Sequence, residues 1–401
     1  MADLQELVDA VADLTGAPVT LEDRAFHLVA ASGHPGPIDA VRQDTVLHRR
    51  ATAAVRARFE SYGIARSPAP VRIPADPAQG LLARWCVPVR WQRVAHGYLW
   101  LLDDGRLPEA DVARVRPLAE EAGAVLARRA RRRADLSGML DALLSADPAR
   151  RERAAEHLAD THALPAGALA VVVLLPPSGT GPLEEVNAWR LPRGVLATGR
   201  DDGAVLLVPL GPEPATGSGP RTGSGPAEDA LLAPARSVAR RARDLLPERS
   251  RTAATGISDP VPTLPHVRAA WRQARAAALL AAQQPAQQPA PAAAVEWSGA
   301  GVARLLAHGR AEDLADAVLT PRVRALLSCG DAELLRTARA YLDAAGSAQR
   351  TAAELPVHRQ TLYSRLRRLE AITGLDLDDG RDRLELHLAL ALLPVLPHRS
   401  G

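Results

Sequence analysis

Between Arg359 and Arg368 the chain carries four arginines, Arg359, Arg365, Arg367 and Arg368, and no acid, with Glu370 the first negative charge. Gln360, Thr361, Tyr363 and Ser364 are interleaved with them, and His358 stands just in front. These residue types can read and grip a nucleic-acid duplex. Arginine holds guanine and glutamine holds adenine through paired hydrogen bonds, each discriminating by roughly 1–3 kcal/mol, while Ser, Thr, Tyr and spare arginines suit phosphate oxygens. His358 could touch a phosphate or orient the turn before the helix. The same residues would also suit the solvated face of an ordinary surface helix, so the elements around them decide.

Leu362, Leu366, Leu369 and Ile372 recur at helical spacing and pin one stripe of this segment to a core. Gln360, Ser364 and Arg367 fall on the opposite stripe, flanked by Tyr363 and Arg368. Upstream, Ser347 is a good N-cap, although the third helical position holds Arg350 and not the acid or amide of a capping box. Helix formers follow to Leu355, where Pro356 disfavours a further helical turn. A short helix, a turn of about three residues and a second helix with an apolar back and a basic front is the arrangement of a helix-turn-helix laid in a DNA major groove. Asp331 should cap a preceding helix, Ala332–Ala345, whose Leu334, Leu335, Ala338, Tyr341 and Leu342 can pack behind the pinned stripe. After Gly374, Leu375 and Leu377 bracket an acidic turn. Arg381–Leu393 alternates leucines like a strand, but it lacks β-branched residues, so a buried helix is expected, with a second subunit as one candidate neighbour. A dimer would set two recognition helices on half-sites about one DNA turn apart.

The run LLRTARAYLDAAGSAQRTAAELPVHRQTLYSRLRRLEAITGLDLDDGRDRLELHLALALL, from Leu334 to Leu393, closely resembles the C-terminal DNA-binding domain of the PucR/CdaR family of bacterial transcription regulators. The marks are RTA in the first helix, VHR-x-TL at the turn, RL-RR-LE in the recognition stretch, GLDLDD and the terminal DRLELHLAL. Two places depart from the family: a small-Gly-Asn opening reads Gly346-Ser347, and the asparagine after VHR is Gln360. The second departure bears on base preference. Face and resemblance together assign His358, Arg359, Gln360, Thr361, Tyr363, Ser364, Arg367 and Arg368 to double-stranded DNA.

The chain has 401 residues, 47% of them hydrophobic, which is room for two or three globular domains. No uncharged apolar run of membrane-spanning length occurs, and the start is acidic and unlike a signal, so a cytoplasmic protein is expected. Cys86 and Cys329 stand far apart and suggest neither a disulfide framework nor a metal cluster. All 49 basic residues are arginine, and with abundant Ala, Pro and Gly this points to coding bias more than to nucleic acid. Net charge is +3, and from Asp331 onward ten arginines face ten acids, so any DNA footprint must be a local patch.

The expected class is multidomain α+β: a sensor over residues 1–133, an α/β middle over 134–300, a helical linker over 301–330 and an all-α helix-turn-helix domain over 331–401. In the first region a helix with Leu4, Leu7, Val8, Val11 and Leu14 ends at Gly16. Strands are expected at Pro18–Leu21, His27–Ala31, Val71–Pro74, Arg84–Val89 and Val94–Leu102, a helix at Thr52–Tyr62, and an exit helix Glu109–Arg133 with a kink at Pro117. PVTLEDRAFHLVAASG and CVPVRWQRVAHGYLWLLDD are similar to a GAF-like input domain. That resemblance implies a small-molecule effector in a pocket on the sheet, with Trp85, Trp91, Tyr98 and Trp100 as candidate lining. The run Arg128-Arg129-Ala130-Arg131-Arg132-Arg133 reads as the solvated end of the exit helix, whose dipole favours cations there, with a second DNA contact as the rival. The exit helix could also pair with its twin in a homodimer or higher homo-oligomer.

In the middle region, helices Leu136–Ser145 and Pro148–His162 precede a buried strand Leu169–Leu175. Gly194–Thr198 and Ala204–Leu210 form a hairpin. Gly211–Gly225, with its repeated TGSGP, is an insertion no core could use. A helix Glu228–Leu246, a strand Thr252–Ile257, a helix Leu264–Ala282, a linker QQPAQQPAP and a strand Ala293–Trp297 complete an alternating pattern. With GISDPVPTLPHVRAAWRQARAA as its mark, the region resembles a GGDEF-like domain of the CdaR branch. Active nucleotide cyclases of that fold carry Gly-Gly-acid-acid-Phe on the hairpin; this chain has Gly199-Arg200-Asp201-Asp202-Gly203, which is ordinary turn chemistry. No phosphate-loop, zinc-protease or nucleophile-elbow motif is present. A non-enzymatic regulator without cofactor or metal is therefore expected, against two rivals: a nucleotide-acting enzyme, and a non-DNA interaction module or RNA-binding antiterminator.

Overall fold

A computed structural model describes residues 3–33, 38–77, 80–161, 163–177, 183, 190–211, 230–246, 250–283, 294–309 and 311–396. The TGSGP repeats, most of the QQPAQQPAP linker and the expected element ends at His162, Glu228 and Ala293 lie outside them. The chain divides into two compact units, one over 1–138 with 187–190, the other holding the rest.

The first unit contains α1 (Leu4–Thr15), β1 (Val19–Asp23), β2 (Leu28–Ala31), α2 (Ala40–His48), α3 (Ala53–Ser61), β3 (Val71–Ile73), β4 (Arg84–Trp91), β5 (Val94–Leu102), α4 (Glu109–Arg114) and the start of α5 (Arg116–Leu144). Its antiparallel sheet has the order β2-β1-β5-β4-β3. Alternation along the strands sorts side chains to two faces. Val19, Leu21, Trp85, Val87, Leu99 and Leu101 bury against α1, α4 and α5, whereas Cys86, Tyr98 and Trp100 meet Phe26, Phe59 and Ile64 on the other side. Each large side chain so buried contributes roughly 1.5–3 kcal/mol. Trp85 and Trp100 thus serve opposite faces, Tyr98 is core, and Trp91 is exposed at the hairpin end.

The exit helix differs from expectation in two ways. It breaks at Val115, where the Val115 N–H bonds Val112 at 3.2 Å, two residues before the kink placed at Pro117. The cause is the Pro117 ring, which crowds the carbonyl four residues earlier. Beyond it the helix runs unbroken to Leu144, absorbing the separate helix expected at Leu136, since no further proline interrupts it. The arginine run is therefore mid-helix and not a helix end, and the dipole account of it falls. Its Arg128, Arg129, Arg131 and Arg132 are exposed.

The second unit continues with α6 (Pro148–Asp160), β6 (Ala168–Leu175), β7 (Leu196–Arg200), β8 (Gly203–Gly211), α7 (Ala233–Asp244), β9 (Ala254–Ile257), α8 (Val267–Gln283) and the short β10 (Val295–Glu296). The sheet order is β10-β9-β6-β8-β7, with only β10–β9 parallel. The central strand β6 is apolar throughout because both faces are covered. Val172 and Leu174 meet Val238, Ala239 and Ala242 of α7. On the other face Gly256 lies against Ala274 and Ala278 of α8. The β7–β8 hairpin turns through Asp201 and Asp202, with Arg200 paired to Gly203. Gly203 takes φ 150°, and a Cβ there would sit 2.1 Å from the Leu174 carbonyl oxygen. The turn residues are occupied: Asp202 Oδ2 accepts from Arg275 Nε at 3.0 Å, and Arg200 reaches Asp141 at 3.0 Å while lying over the Trp271 ring.

The same unit ends in six helices, α9 (Ala311–Val318), α10 (Pro321–Ser328), α11 (Ala332–Asp343), α12 (Ala348–Glu354), α13 (Arg359–Thr373) and α14 (Gly380–Leu392). They share one core, in which Val323 and Leu326 join Leu334, Tyr341, Leu362, Leu369, Leu386 and Leu390. Leu279 of α8 and Leu306 pack against that core as well. The final helix is as expected, but Leu384 is 66% exposed, so its apolar girdle is incomplete.

Candidate nucleic-acid interface

The turn between α11 and α12 is set by backbone. Ala345 and Gly346 both take left-handed φ, 53° and 76°, and the Gly346 N–H returns to the Tyr341 carbonyl at 2.8 Å. A Cβ on Gly346 would meet Arg383 Nη1 at 2.7 Å. Ser347 Oγ then accepts from the Arg350 N–H at 3.4 Å, and Thr351, buried, ties its hydroxyl to the Ser347 carbonyl at 2.8 Å. Helix α12 is closed by its C-cap Leu355, whose side chain is buried.

His358 caps α13: its Nδ1 accepts the Gln360 N–H at 3.3 Å. Of the two roles open to this histidine, orienting the turn is the one the structure shows. Behind the helix Leu362, Leu366 and Leu369 are buried. In front, His358, Arg359, Gln360, Thr361, Tyr363, Ser364, Arg367 and Arg368 are all exposed, Tyr363 at 49%. The side that sequence spacing assigns to a duplex is therefore open to one.

The arginines are not equivalent. Arg368 Nη1 pairs with Asp331 Oδ2 at 2.8 Å. Arg365, half-buried, donates to the buried Thr337 hydroxyl at 3.2 Å and lies 3.3 Å from Glu333. Arg367 only bends back to the Tyr363 carbonyl, at 3.4 Å, and no ion pair engages Arg359 among the described residues. Asp331 holds two elements at once, since its Oδ1 caps α11 by accepting the Leu334 N–H at 3.0 Å. That backbone hydrogen bond, followed by the Arg368 cation, holds its carboxyl below the usual range. The long-range partners Asp331, Glu333 and Thr337 escape sequence reading, which sees Asp331 only as a cap. Glu370 turns away from the front, its Oε1 accepting the Leu377 N–H at 3.2 Å.

A face with Arg359 and Arg367 uncompensated, Gln360 and Ser364 between them, and a rigid leucine back can meet phosphate and base edges together. Residues 334–392 match the model of the PucR C-terminal helix-turn-helix domain, and residues 112–280 that of the GGDEF-like domain. An uncharacterized protein encoded in the 5′ region of pkwA in Thermomonospora curvata is 41% identical over 61 residues, which is 15% of this chain. The chain spans 34% of that relative's length. A crystal structure of a regulator of polyketide synthase expression from Bifidobacterium adolescentis aligns at 18% identity over 64% of this chain and 96% of that one, with a TM-score of 0.25. No helix among the described residues is long and apolar enough to cross a membrane.

Proposed function

We propose that this chain, which carries a PucR-type C-terminal helix-turn-helix and a GGDEF-like domain, is a DNA-binding transcription regulator of the PucR/CdaR type. The observation that carries the reading is the outward presentation of all eight front residues of α13 and its cap while Leu362, Leu366 and Leu369 are buried. In this reading Arg359, Gln360 and Arg367 meet base edges or the adjoining phosphates, and His358 positions the helix. Thr361, Tyr363 and Ser364 bond the backbone of the duplex, and Arg368 contributes charge while tied to Asp331.

A homodimer, a small-molecule effector and a cytoplasmic location belong to the same proposal. Two copies of α13 would then engage half-sites about one DNA turn apart. The effector would act by changing how the two reading heads are spaced. The middle unit is read as non-enzymatic. Asp202 is held by Arg275, and Gly203 leaves its hairpin no room for a larger residue, which supports a structural role for the turn. Incubation with GTP and a divalent metal should give no turnover.

The test is fluorescence anisotropy with the chain's own upstream DNA against a scrambled duplex and a matched RNA at equal salt. Preference for the native duplex is expected. Equal binding of all three would defeat the reading, and preference for RNA would favour an antiterminator.

A further inference from the structure

The first unit hides a charged pocket that DNA reading does not use. Thr20 and Glu22 of β1, Arg84 of β4 and Trp100 of β5 line its floor; Val41, Arg42 and Thr45 of α2 and Phe59 of α3 cover it. Thr20, Glu22, Arg42, Thr45 and Arg84 are all buried, with exposures of 4–6%. Buried charges in this density are costly unless each is matched. The Asp39 carboxylate is saturated: Oδ1 accepts the Arg42 N–H at 2.8 Å, and Oδ2 accepts the Leu82 N–H at 3.0 Å and an Arg84 Nη2–H. Arg42 has no such partner. Its Nη2 reaches only the carbonyls of Val19 and Ser32, at 3.3 Å each, and no carboxylate pairs with its guanidinium among the described residues. Glu22 Oε2 accepts the Trp100 indole N–H at 3.0 Å.

Burial pushes the Glu22 carboxyl up to about 8, against the smaller opposing effects of the Trp100 hydrogen bond and the Arg84 charge. At neutral pH it is therefore mostly neutral, and the enclosed groups Arg42, Arg84 and Asp39 sum to one positive charge. The other ionisable groups around it do not cancel that charge: Cys86 on β4 is a buried thiol kept protonated, and Asp23 on β1 is engaged with His27.

We propose that this pocket binds a small carboxylate, with Arg42 and Arg84 gripping the oxyanion and the Glu22 carboxyl donating a hydrogen bond to it. The proposal gives the effector its chemical class and in that sense rests on the regulator reading. The free space is about 10 Å³, room for about one water, so the bound group is compact and α2 and α3 must yield to admit the rest of the ligand. Guanidinium and carboxylate match in a two-pronged geometry, and the Trp100 and Phe59 rings suit a short apolar tail. Raising the pH ionises Glu22, which then supplies the missing anion itself and repels the ligand.

The test uses the full chain labelled with ¹⁵N at its tryptophan indoles, the Trp100 signal being assigned from Trp100→Phe. Formate, acetate and butyrate are titrated at pH 7 and pH 9, with formamide, acetamide and butyramide as neutral counterparts and inorganic phosphate as a bulkier anion. Saturable movement of the Trp100 signal is expected with carboxylates and not with amides, about ten-fold weaker at pH 9. Arg42→Gln should weaken it by at least about ten-fold. Glu22→Gln should retain binding at both pH values, and it decides the matter if Arg42→Gln does not fold. Failure of every carboxylate to saturate overturns the proposal, as does equal response to the amides or a pH effect that survives in Glu22→Gln. Promoter binding measured on the same sample separates the two readings, because DNA binding without carboxylate binding sinks this one alone.

Discussion

Arg367 and Arg368 are sequence neighbours with different surroundings, and mutation should separate them. Arg367→Ala should lower specific DNA binding by roughly 1–3 kcal/mol with an unchanged circular dichroism spectrum. Unchanged affinity in the folded variant would move the contact face elsewhere. Arg368→Ala should also loosen the junction with α11, because its partner Asp331 caps that helix. The Asp331 carboxyl is held low, so its contribution to stability is present at neutral pH and is lost as pH falls through its depressed value. Asp331→Asn should remove that part of the acid sensitivity in pH-dependent unfolding. Glu22 behaves in the opposite sense. Its contribution is fully present below its ordinary value of 4.5 and is lost as pH rises to about 8. Denaturant melts of Glu22→Gln should therefore lose less stability between pH 5 and pH 9 than the parent. Neither partnership was legible in the sequence, since Asp331 lies 37 residues from Arg368 and Glu22 78 from Trp100.

At the scale of elements, the sequence was most informative where signals are local. Caps at Asp331 and Ser347, the stop at Pro356, the Leu362–Leu366–Leu369 stripe and the glycine after Thr373 fixed α11 to α13 almost to the residue. It was least informative in α5, where the break falls two residues before Pro117 and the helix outruns its expected end. At the β7–β8 turn the sequence reading of ordinary turn chemistry left out the packing that constrains it. Two aspartates and a glycine stand where cyclases of that fold bind metal, yet the glycine is needed because the β6 backbone passes against it. Gly203→Ala should therefore destabilise the second unit by roughly 1–3 kcal/mol in thermal or denaturant melts, with DNA contacts in the folded fraction unaffected. Should the Gly203→Ala protein prove as stable as the parent, β6 yields freely and the close approach does not constrain the turn.

For the whole molecule, the chain carries little net charge, and ten arginines and ten acids share the last domain. Affinity for DNA has to come from where the arginines point. A fragment of residues 139–401 contains every group assigned to the duplex and, apart from residues 187–190, makes up the second compact unit. It should fold alone and bind the same DNA, as anisotropy can show, while losing any response to a ligand held by the first unit. Within the second unit, Leu279 of the sheet-covering helix α8 packs against the core of the C-terminal helices. The helical core is thus in direct contact with a helix that covers the sheet. A signal that rocks α8 would tilt the packed helices with it as a lever, so a changed response at α13 would need no unfolding and no free swivel, only a tilt of one shared strut.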